Sequence, residues 1–533
     1  MDADDGCGRG RTVTKQRGRI RHMTRHSRHD AAKRWGIFVA IAAALFASLW
    51  IAWSALDSPS FLPGINPLQR NTTVTVGLRQ APASLDIRKQ SGHAVEQALL
   101  GNVYETLVQR NQDNQLEPGL ASQWKVSKDA LTYTLTLRPN LRFSNGDRLD
   151  ATDVVWSLQQ SIKGRFVGSD MLNGLKSVEN RGSSTIVISL SGPNPTLLRA
   201  LSGRAGIVYD AQADVDYARQ AVGSGPLVVA DYEPGQSITF KRNGAYRAQQ
   251  AASSQVTLRY YPDDASALSA LRDADVNMVI PDDPSLDASI TGDPSLKIID
   301  GMSTSKVLLA FNNSANSIFS DQQVRQATRY LVDSASLAHS QPDAAAGLGG
   351  PISELEPGYE DLTGLFPHDP VKATSMLSYF SASYLGTVTF LVPQRYEALG
   401  ETIAQQLKGS GYFDVQLQAV DDATLGERMA KGDYTMALMT MDETGDAGAF
   451  ANADSVFHYE NGDAQRQYAD ALRATNGDDY RKAMQAFART VSQDAASDWL
   501  YTRKDRIVAK AKLEGYPKNM VDQLLPLQDL AMR

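Results

Sequence analysis

The chain has 533 residues, of which 42% are apolar and 21% are charged. One hydrophobic core rarely organises so many residues, so we expect at least two domains or lobes, with disorder confined to the ends. The single cysteine, Cys7, excludes a disulfide within the chain.

The net charge of −7 divides unevenly along the chain. Residues 1–34 carry 10 Lys or Arg and 4 Asp or Glu, whereas the rest carries 43 basic and 56 acidic residues. Between these parts, residues 35–56 are 22 positions without a charge, enough to span a hydrocarbon core of about 30 Å. The positive-inside rule then predicts a basic cytoplasmic tail, a single-pass anchor in the cell membrane and an extracytoplasmic body. Residues 57–70, rich in Pro, are predicted to be a linker.

A cleaved signal peptide is the alternative, with Ala52-Trp53-Ser54 as a tolerable cleavage site. A start at Met23 also stays open. Cys7 does not follow the apolar segment, which excludes a lipid-anchored cysteine of the lipoprotein type. The basic tail lacks interleaved aromatic residues, so we expect no nucleic-acid partner.

Beyond residue 71, alternating apolar residues predict strands at 72–78, 131–137, 186–190, 256–260 and 415–417. Helical patterns lie between them. Asp150 and Asp321 are predicted to cap two helices, and Leu399, Ile403 and Leu407 indicate a third. This mixture, without a repeat of 20 to 50 residues, favours an α/β fold over a solenoid or propeller.

Residues for common catalytic or metal chemistry are missing. The four histidines after the tail lack the i, i+4 spacing of helical metal ligands, and no cysteine lies there. No nucleophile elbow, P-loop or dinucleotide fingerprint follows a predicted strand. We therefore expect no metal, no cofactor and no enzymatic activity, although an extracytoplasmic hydrolase with an unusual constellation stays open.

Four sequence stretches carry a family resemblance. They are Leu120-Ala-Ser-Gln-Trp-Lys-Val-Ser127, Leu131-Thr-Tyr-Thr-Leu-Thr-Leu-Arg138, Leu141-Arg-Phe-Ser-Asn-Gly-Asp147 and Ala151-Thr-Asp-Val-Val-Trp-Ser-Leu158. They resemble the signature of family 5 solute-binding proteins of ABC importers, the oligopeptide-, dipeptide- and nickel-binding group. Gly223-Ser-Gly-Pro-Leu227 is similar to a further family motif, in which Leu227 replaces the usual tyrosine.

The resemblance implies a large, two-lobed periplasmic-binding-protein-like fold of class II, with crossings near residues 300–306 and 497–503. We expect lobe 1 to comprise residues 71–303 and 500–533, with an inserted subdomain at about 111–220. Lobe 2 is expected to comprise residues 304–499.

The resemblance also implies a function. Such a protein captures peptides or peptide-like solutes between hinged lobes, and the closed form is recognised by an ABC permease. We expect a monomer that reaches the membrane through its N-terminal helix. A membrane-anchored sensor or surface protein with the same fold, but without transport, is the alternative.

Candidate ligand residues follow from the same resemblance. Arg395 lies in a context similar to the arginine of the dipeptide-binding branch and is our candidate for a ligand carboxylate. Glu443 occupies the position of the branch's ammonium-binding aspartate, with Asp442 and Asp446 as neighbouring candidates. Thr440 replaces a tryptophan of that motif, and a proline is also lost. The alternative is that these charged residues only solvate loop ends.

Overall fold

The computed structural model describes residues 73–282 and 288–533. The predicted tail, anchor and linker lie outside the described residues. Within the described ranges, no helix is both long and apolar enough to traverse a bilayer.

The strands of the described residues are short, apart from two. In chain order they are β1 (Thr73–Leu78), β2 (Val108–Arg110), β3 (Leu116–Pro118), β4 (Ala121–Val126), β5 (Thr132–Leu137), β6 (Leu175–Arg181), β7 (Thr185–Leu190), β8 (Leu227–Glu233), β9 (Ser237–Arg242), β10 (Gln255–Tyr260), β11 (Met278–Val279), β12 (Leu296–Phe311), β13 (Ala344–Gly347), β14 (Thr387–Pro393), β15 (Asp414–Val420), β16 (Met436–Met441), β17 (Ser497–Lys510), β18 (Leu513–Glu514) and β19 (Ala531–Met532).

The helices of the described residues connect these strands. They are α1 (His93–Leu99), α2 (Ala151–Lys163), α3 (Leu197–Ala200), α4 (Asp264–Arg272), α5 (Ala288–Thr291), α6 (Gln322–Leu331), α7 (Ser334–Ser340), α8 (Pro370–Leu377), α9 (Ala382–Leu385), α10 (Glu397–Gly409), α11 (Asp422–Ala430), α12 (Gly462–Leu472) and α13 (Gly477–Gln493).

One large sheet joins the two halves of this architecture. Its strands follow the order β15-β14-β16-β12-β17-β11-β1-β10-β9-β8, and β13 also pairs with β17. We call the half around β1 and β8–β11 lobe 1 and the half around β13–β16 lobe 2. A separate four-stranded sheet, β4-β5-β7-β6, forms a subdomain of lobe 1.

The long antiparallel strands β12 and β17 pass from one lobe to the other. Their register is interrupted between Met302 and Lys306, opposite residues Thr502 and Lys504. This break lies inside the expected crossing at 300–306. The lobe limits at 303 and 500 stay a prediction, because single strands run through both lobes.

Each lobe buries its own apolar side chains. Val76, Leu258 and Phe240 lie in the core of lobe 1, whereas Phe311 and Phe390 lie in that of lobe 2. The subdomain has a further core beneath its sheet. Separate cores allow the lobes to move as bodies about the strands that connect them.

The predicted elements agree with the structure. All five predicted strands are present as β1, β5, β7, β10 and β15. Asp150 caps α2 in a capping box, and Asp321 accepts hydrogen bonds at the start of α6. Leu399, Ile403 and Leu407 are the buried face of α10. Local periodicity and capping therefore predicted these elements correctly.

Candidate functional site

Two neighbouring cavities, of about 380 and 550 Å³, lie where the lobes face each other. Five residues line both: Asp170, Met171 and Arg199 from lobe 1, and Glu443 and Thr444 from lobe 2. We call the combined space the cleft. Its volume is within the range of small-ligand sites, and a change in lobe orientation would open or close it.

Another cavity, of about 700 Å³, is lined by lobe 2 and the adjoining strand β17, including His339, Glu354 and Phe366. None of the four candidate ligand residues lines it. Lobe 1 contributes little to its walls, so hinge closure would not enclose a solute there.

The loop after β16 supplies the lobe 2 wall of the cleft. Gly445 has a φ of 91°, a left-handed conformation that glycine adopts without strain, and a 3₁₀ turn begins at Asp446. Two hydroxyl groups of β12 hold the start of this loop. Ser305 donates to the Asp442 carboxylate at 2.7 Å, and Thr304 donates to the Asp442 carbonyl at 2.9 Å. Asp442 is therefore engaged in positioning the loop.

Asp446 belongs to a buried charged cluster at the base of the cleft. The Lys306 ammonium lies 2.9 Å from the Asp446 carboxylate and 2.8 Å from that of Glu356. Glu356 also accepts from the Ser353 amide and hydroxyl and from the Gly445 amide. The Lys306 side chain has 0% exposure. One fully buried ammonium thus faces two carboxylates, whose residues also line one cavity of the cleft.

Asp446 is the residue of this cluster whose pKa is strongly raised. Burial raises the pKa of Asp446, Lys306 opposes this shift and nearby Glu356 adds to it, and the resulting pKa is about 8. The cluster can therefore take up or release a proton near neutral pH.

Among the four candidate ligand residues, Glu443 is the one that lines both cavities of the cleft. Its side chain is 68% exposed, and its carboxylate lies 3.8 Å from the Nε2 atom of His93 in lobe 1. Because it lines both cavities and is largely exposed, with His93 no closer than 3.8 Å, its carboxylate is accessible to a ligand.

Arg395 does not join the other candidates. It lies in the turn after β14, where its guanidinium pairs with Asp422 of α11 and lies beside the Tyr396 ring. Arg395 lines neither cavity of the cleft. The structure therefore brings Asp442, Glu443 and Asp446 together and leaves Arg395 elsewhere on lobe 2.

Asn114 joins the lobes across the cleft. It sits in the β2–β3 hairpin with a φ of 59°, which asparagine tolerates. Its amide group donates to the Leu355 carbonyl at 2.9 Å and to the Thr444 hydroxyl at 3.0 Å, both in lobe 2. Thr444 in turn donates through its amide and hydroxyl to Asp522 at 2.8 Å.

The Asp522 carboxylate is anchored by Arg110 of lobe 1. Burial alone would raise the pKa of Asp522, but Arg110 and the Thr444 donors hold it below its usual range. Asp522 therefore stays ionised while it binds the lobe 2 loop. The present arrangement has the two lobes in hydrogen-bonded contact.

Four residues of this site were not predicted from the sequence: Lys306, Glu356, Asn114 and Asp522. The sequence does contain a signal for Lys306, because this residue directly precedes the apolar run Val307–Phe311, which the structure places in a buried strand. A charge in such a strand needs a buried partner. The others left no signal, since Asn114 and Asp522 bind residues more than 70 positions away.

Sequence comparison matches residues 115–462 to the family model of bacterial extracellular solute-binding proteins, family 5 middle. The chain is 22% identical over 460 residues to the oligopeptide-binding protein AppA of Bacillus subtilis, across 78% of this chain and 83% of AppA. It is 24% identical over 306 residues to heme-binding protein A of Haemophilus influenzae. That match covers 52% of this chain and only 56% of the relative.

Structural comparison gives the same architecture. The ABC transporter substrate binding protein CtaP of Listeria monocytogenes superimposes with a TM-score of 0.78 at 18% identity. The match covers 87% of this chain and 100% of CtaP. The expected two-lobed α/β fold is therefore confirmed for the part of the chain that the structure describes.

Proposed function

Because this chain belongs to the bacterial extracellular solute-binding proteins of family 5, we propose that it captures a peptide or peptide-like solute and presents it to an ABC permease. The relative AppA is named for oligopeptide binding, which supports a peptide ligand. Members of this family bind solutes for transporters, so we assign no catalytic residue.

The observation that carries this proposal is the shared cleft. Both lobes line it, and the Asn114 and Thr444 hydrogen bonds join its walls directly. A solute enclosed there contacts both lobes at once, so its binding favours the closed orientation. The permease recognises that orientation.

We propose Glu443, with Asp446 behind it, as the acidic pole that receives a ligand ammonium. Glu443 exposes its carboxylate to the cleft, and a ligand ammonium close to Asp446 would favour the ionised form of that carboxyl group. A peptide ammonium placed there gains the charged hydrogen bonds that a closed cleft demands.

We propose further that residues 35–56 anchor the chain in the cell membrane, with the lobes on the extracytoplasmic side as a monomer. The charge asymmetry around this segment supports the orientation. Protease added to intact cells is expected to digest the lobes and spare the tail. Release of the protein into the soluble extracytoplasmic fraction would instead indicate a cleaved signal peptide.

Binding is tested by calorimetry and thermal shift on the full-length chain with di- to octapeptides. A ligand at 100 times its dissociation constant is expected to add about 2.7 kcal/mol of stability. Glu443→Gln is expected to weaken binding about tenfold or more, whereas Glu427→Gln, an exposed glutamate of lobe 2 outside the cleft, is the matched control.

The proposal is wrong if no peptide binds and cells that depend on this protein show no peptide uptake. Hemin is included as a probe because one relative is named for heme binding. Binding without uptake would favour the membrane-anchored sensor.

A further inference from the structure

The cleft contains the positively charged side chain of Arg199, which has no carboxylate partner among the described residues. Arg199 is half-buried in α3 and lines both cavities. Leu197 and Ala200 of the same helix are buried in the subdomain core, so the arginine side chain projects towards the cleft.

The Arg199 guanidinium binds only one neutral residue among residues 73–282 and 288–533. It donates to the Asn114 side-chain oxygen at 2.6 Å and to the Asn114 carbonyl at 3.3 Å. No carboxylate of the described residues lies within 4.0 Å of it. Asp170 lines the same cavities but also stays beyond that distance. A guanidinium has five N–H donors, so most of its donors have no protein acceptor there.

The buried arginines among the described residues have carboxylate partners. Arg204, Arg325 and Arg329 are buried, and each lies within 3.2 Å of a carboxylate oxygen. Arg110, next to Arg199 in the cleft, pairs with Asp522. Shielding a cation from water without such a partner destabilises the folded protein unless another anion pairs with it.

The electrostatic surroundings point the same way. Burial, followed by repulsion from Arg110, lowers the pKa of Arg199, and the more distant Asp522 and Glu356 offset this only in part. An anion in direct contact with the guanidinium would stabilise its charged form. Asn114 also holds the guanidinium from one side, and because Arg199 lines both cavities, its remaining donors are accessible to a ligand there.

We propose that Arg199 is the receptor for a carboxylate of the bound solute, opposite the acidic pole at Glu443. Arginine matches the planar geometry of a carboxylate with two parallel hydrogen bonds. The cleft then has one cationic and one anionic pole and selects zwitterionic solutes. This inference rests on the proposed function for its peptide ligand.

Arg199 is also connected to lobe 2 through the hydrogen bonds of Asn114. The oxygen of Asn114 accepts from Arg199, while its amide nitrogen donates to Leu355 and Thr444. A carboxylate that fixes the guanidinium therefore also fixes the orientation of the residue that joins the lobes.

The experiment compares four probes on the full-length chain by calorimetry: trialanine, trialanine amide, Ala-Glu-Ala amide and N-acetylglycine. Wild type is expected to bind trialanine about 10- to 100-fold more tightly than its amide. Arg199→Gln is expected to lose that preference and to bind the amide as wild type does. Arg199→Lys should recover part of it, and Arg473→Gln, an exposed arginine outside the cleft, should behave as wild type.

Retention of the acid-over-amide preference in folded Arg199→Gln would overturn the proposal. So would wild type that binds trialanine and its amide with equal affinity, unless Ala-Glu-Ala amide binds more tightly in an Arg199-dependent manner, which identifies a side-chain carboxylate as the anion.

If wild type binds no peptide, the peptide ligand of the proposed function is wrong, and N-acetylglycine decides the role of Arg199. Stabilisation of wild type but not of Arg199→Gln by millimolar N-acetylglycine supports the anion site. Absence of that difference overturns it.

Discussion

Replacement of Lys306 by methionine tests the buried cluster at the base of the cleft. Lys306 is fully shielded from solvent and lies within 2.9 Å of both Glu356 and Asp446. Methionine has a similar volume but no charge, so Lys306→Met leaves two buried carboxylates without a cation. Removal of one partner from a buried ion pair costs about 3–5 kcal/mol.

This loss of unfolding free energy corresponds to a modest decrease in Tm, because the folded part of the chain is large. Unfolding entropies of about 2.1 cal/mol/K per residue amount to about 1 kcal/mol/K for roughly 460 residues. Lys306→Met is therefore expected to lower the Tm by about 3–5 °C at pH 8 in calorimetry of the full-length chain. At pH 5 the loss should shrink, since the orphaned carboxylates can take up protons.

Two further variants sharpen this test. Lys431→Met removes a lysine that pairs with Glu427 on the surface, and its effect is expected to stay within about 0.5 kcal/mol. Adding Asp446→Asn to Lys306→Met should restore part of the lost stability. The reasoning is refuted if Lys306→Met costs no more than Lys431→Met, or if its cost is the same at pH 5 and pH 8.

Three other predictions follow from the same contacts. Because the folded pKa of Asp446 is raised to about 8, its contribution to stability is present at low pH and declines between about pH 4 and pH 8. Asp446→Asn should flatten this decline in the free energy of unfolding, measured by denaturation at several pH values. An unchanged dependence of the unfolding free energy on pH would contradict the prediction. Asn114→Ala removes both hydrogen bonds to lobe 2 and should reduce closure on ligand, measured by small-angle scattering; closure equal to wild type would exclude this role. Gly223→Ala places a Cβ 2.0 Å from the Val103 carbonyl oxygen and should lower the free energy of unfolding by about 1–3 kcal/mol. Gly244→Ala is the control, because its Cβ meets nothing within 4 Å and should not lower that free energy. Equal Tm values for the two variants would contradict this prediction.

The sequence allowed much of the fold to be predicted. The alternation in β5 and β7 and the capping box at Asp150 are local patterns, set by which residues fit a half-buried strand or a helix start. The resemblance along residues 120–158 added the two-lobed fold that the structure shows. It also led to the loop that contains Glu443 and Asp446, which lies in the cleft; the ligand roles of these residues stay predictions.

The site as a whole could not be predicted in the same way. Arg395 was chosen from its sequence context, but whether it faces the cleft depends on how α11 packs beside it, and there it pairs with Asp422. Arg199 was not singled out, because an arginine in a short helix is ordinary in sequence. Its lack of a carboxylate partner is visible only when the surrounding chain is in place.

The sequence by itself thus determined the α/β elements, the charge asymmetry around residues 35–56 and the family. These properties depend on neighbouring residues and on composition. Only the tertiary structure decided which charges meet at the cleft. Lys306 and Glu356 are 50 residues apart, and Arg110 and Asp522 are 412 apart, yet short-range contacts in a shielded space determine their energies.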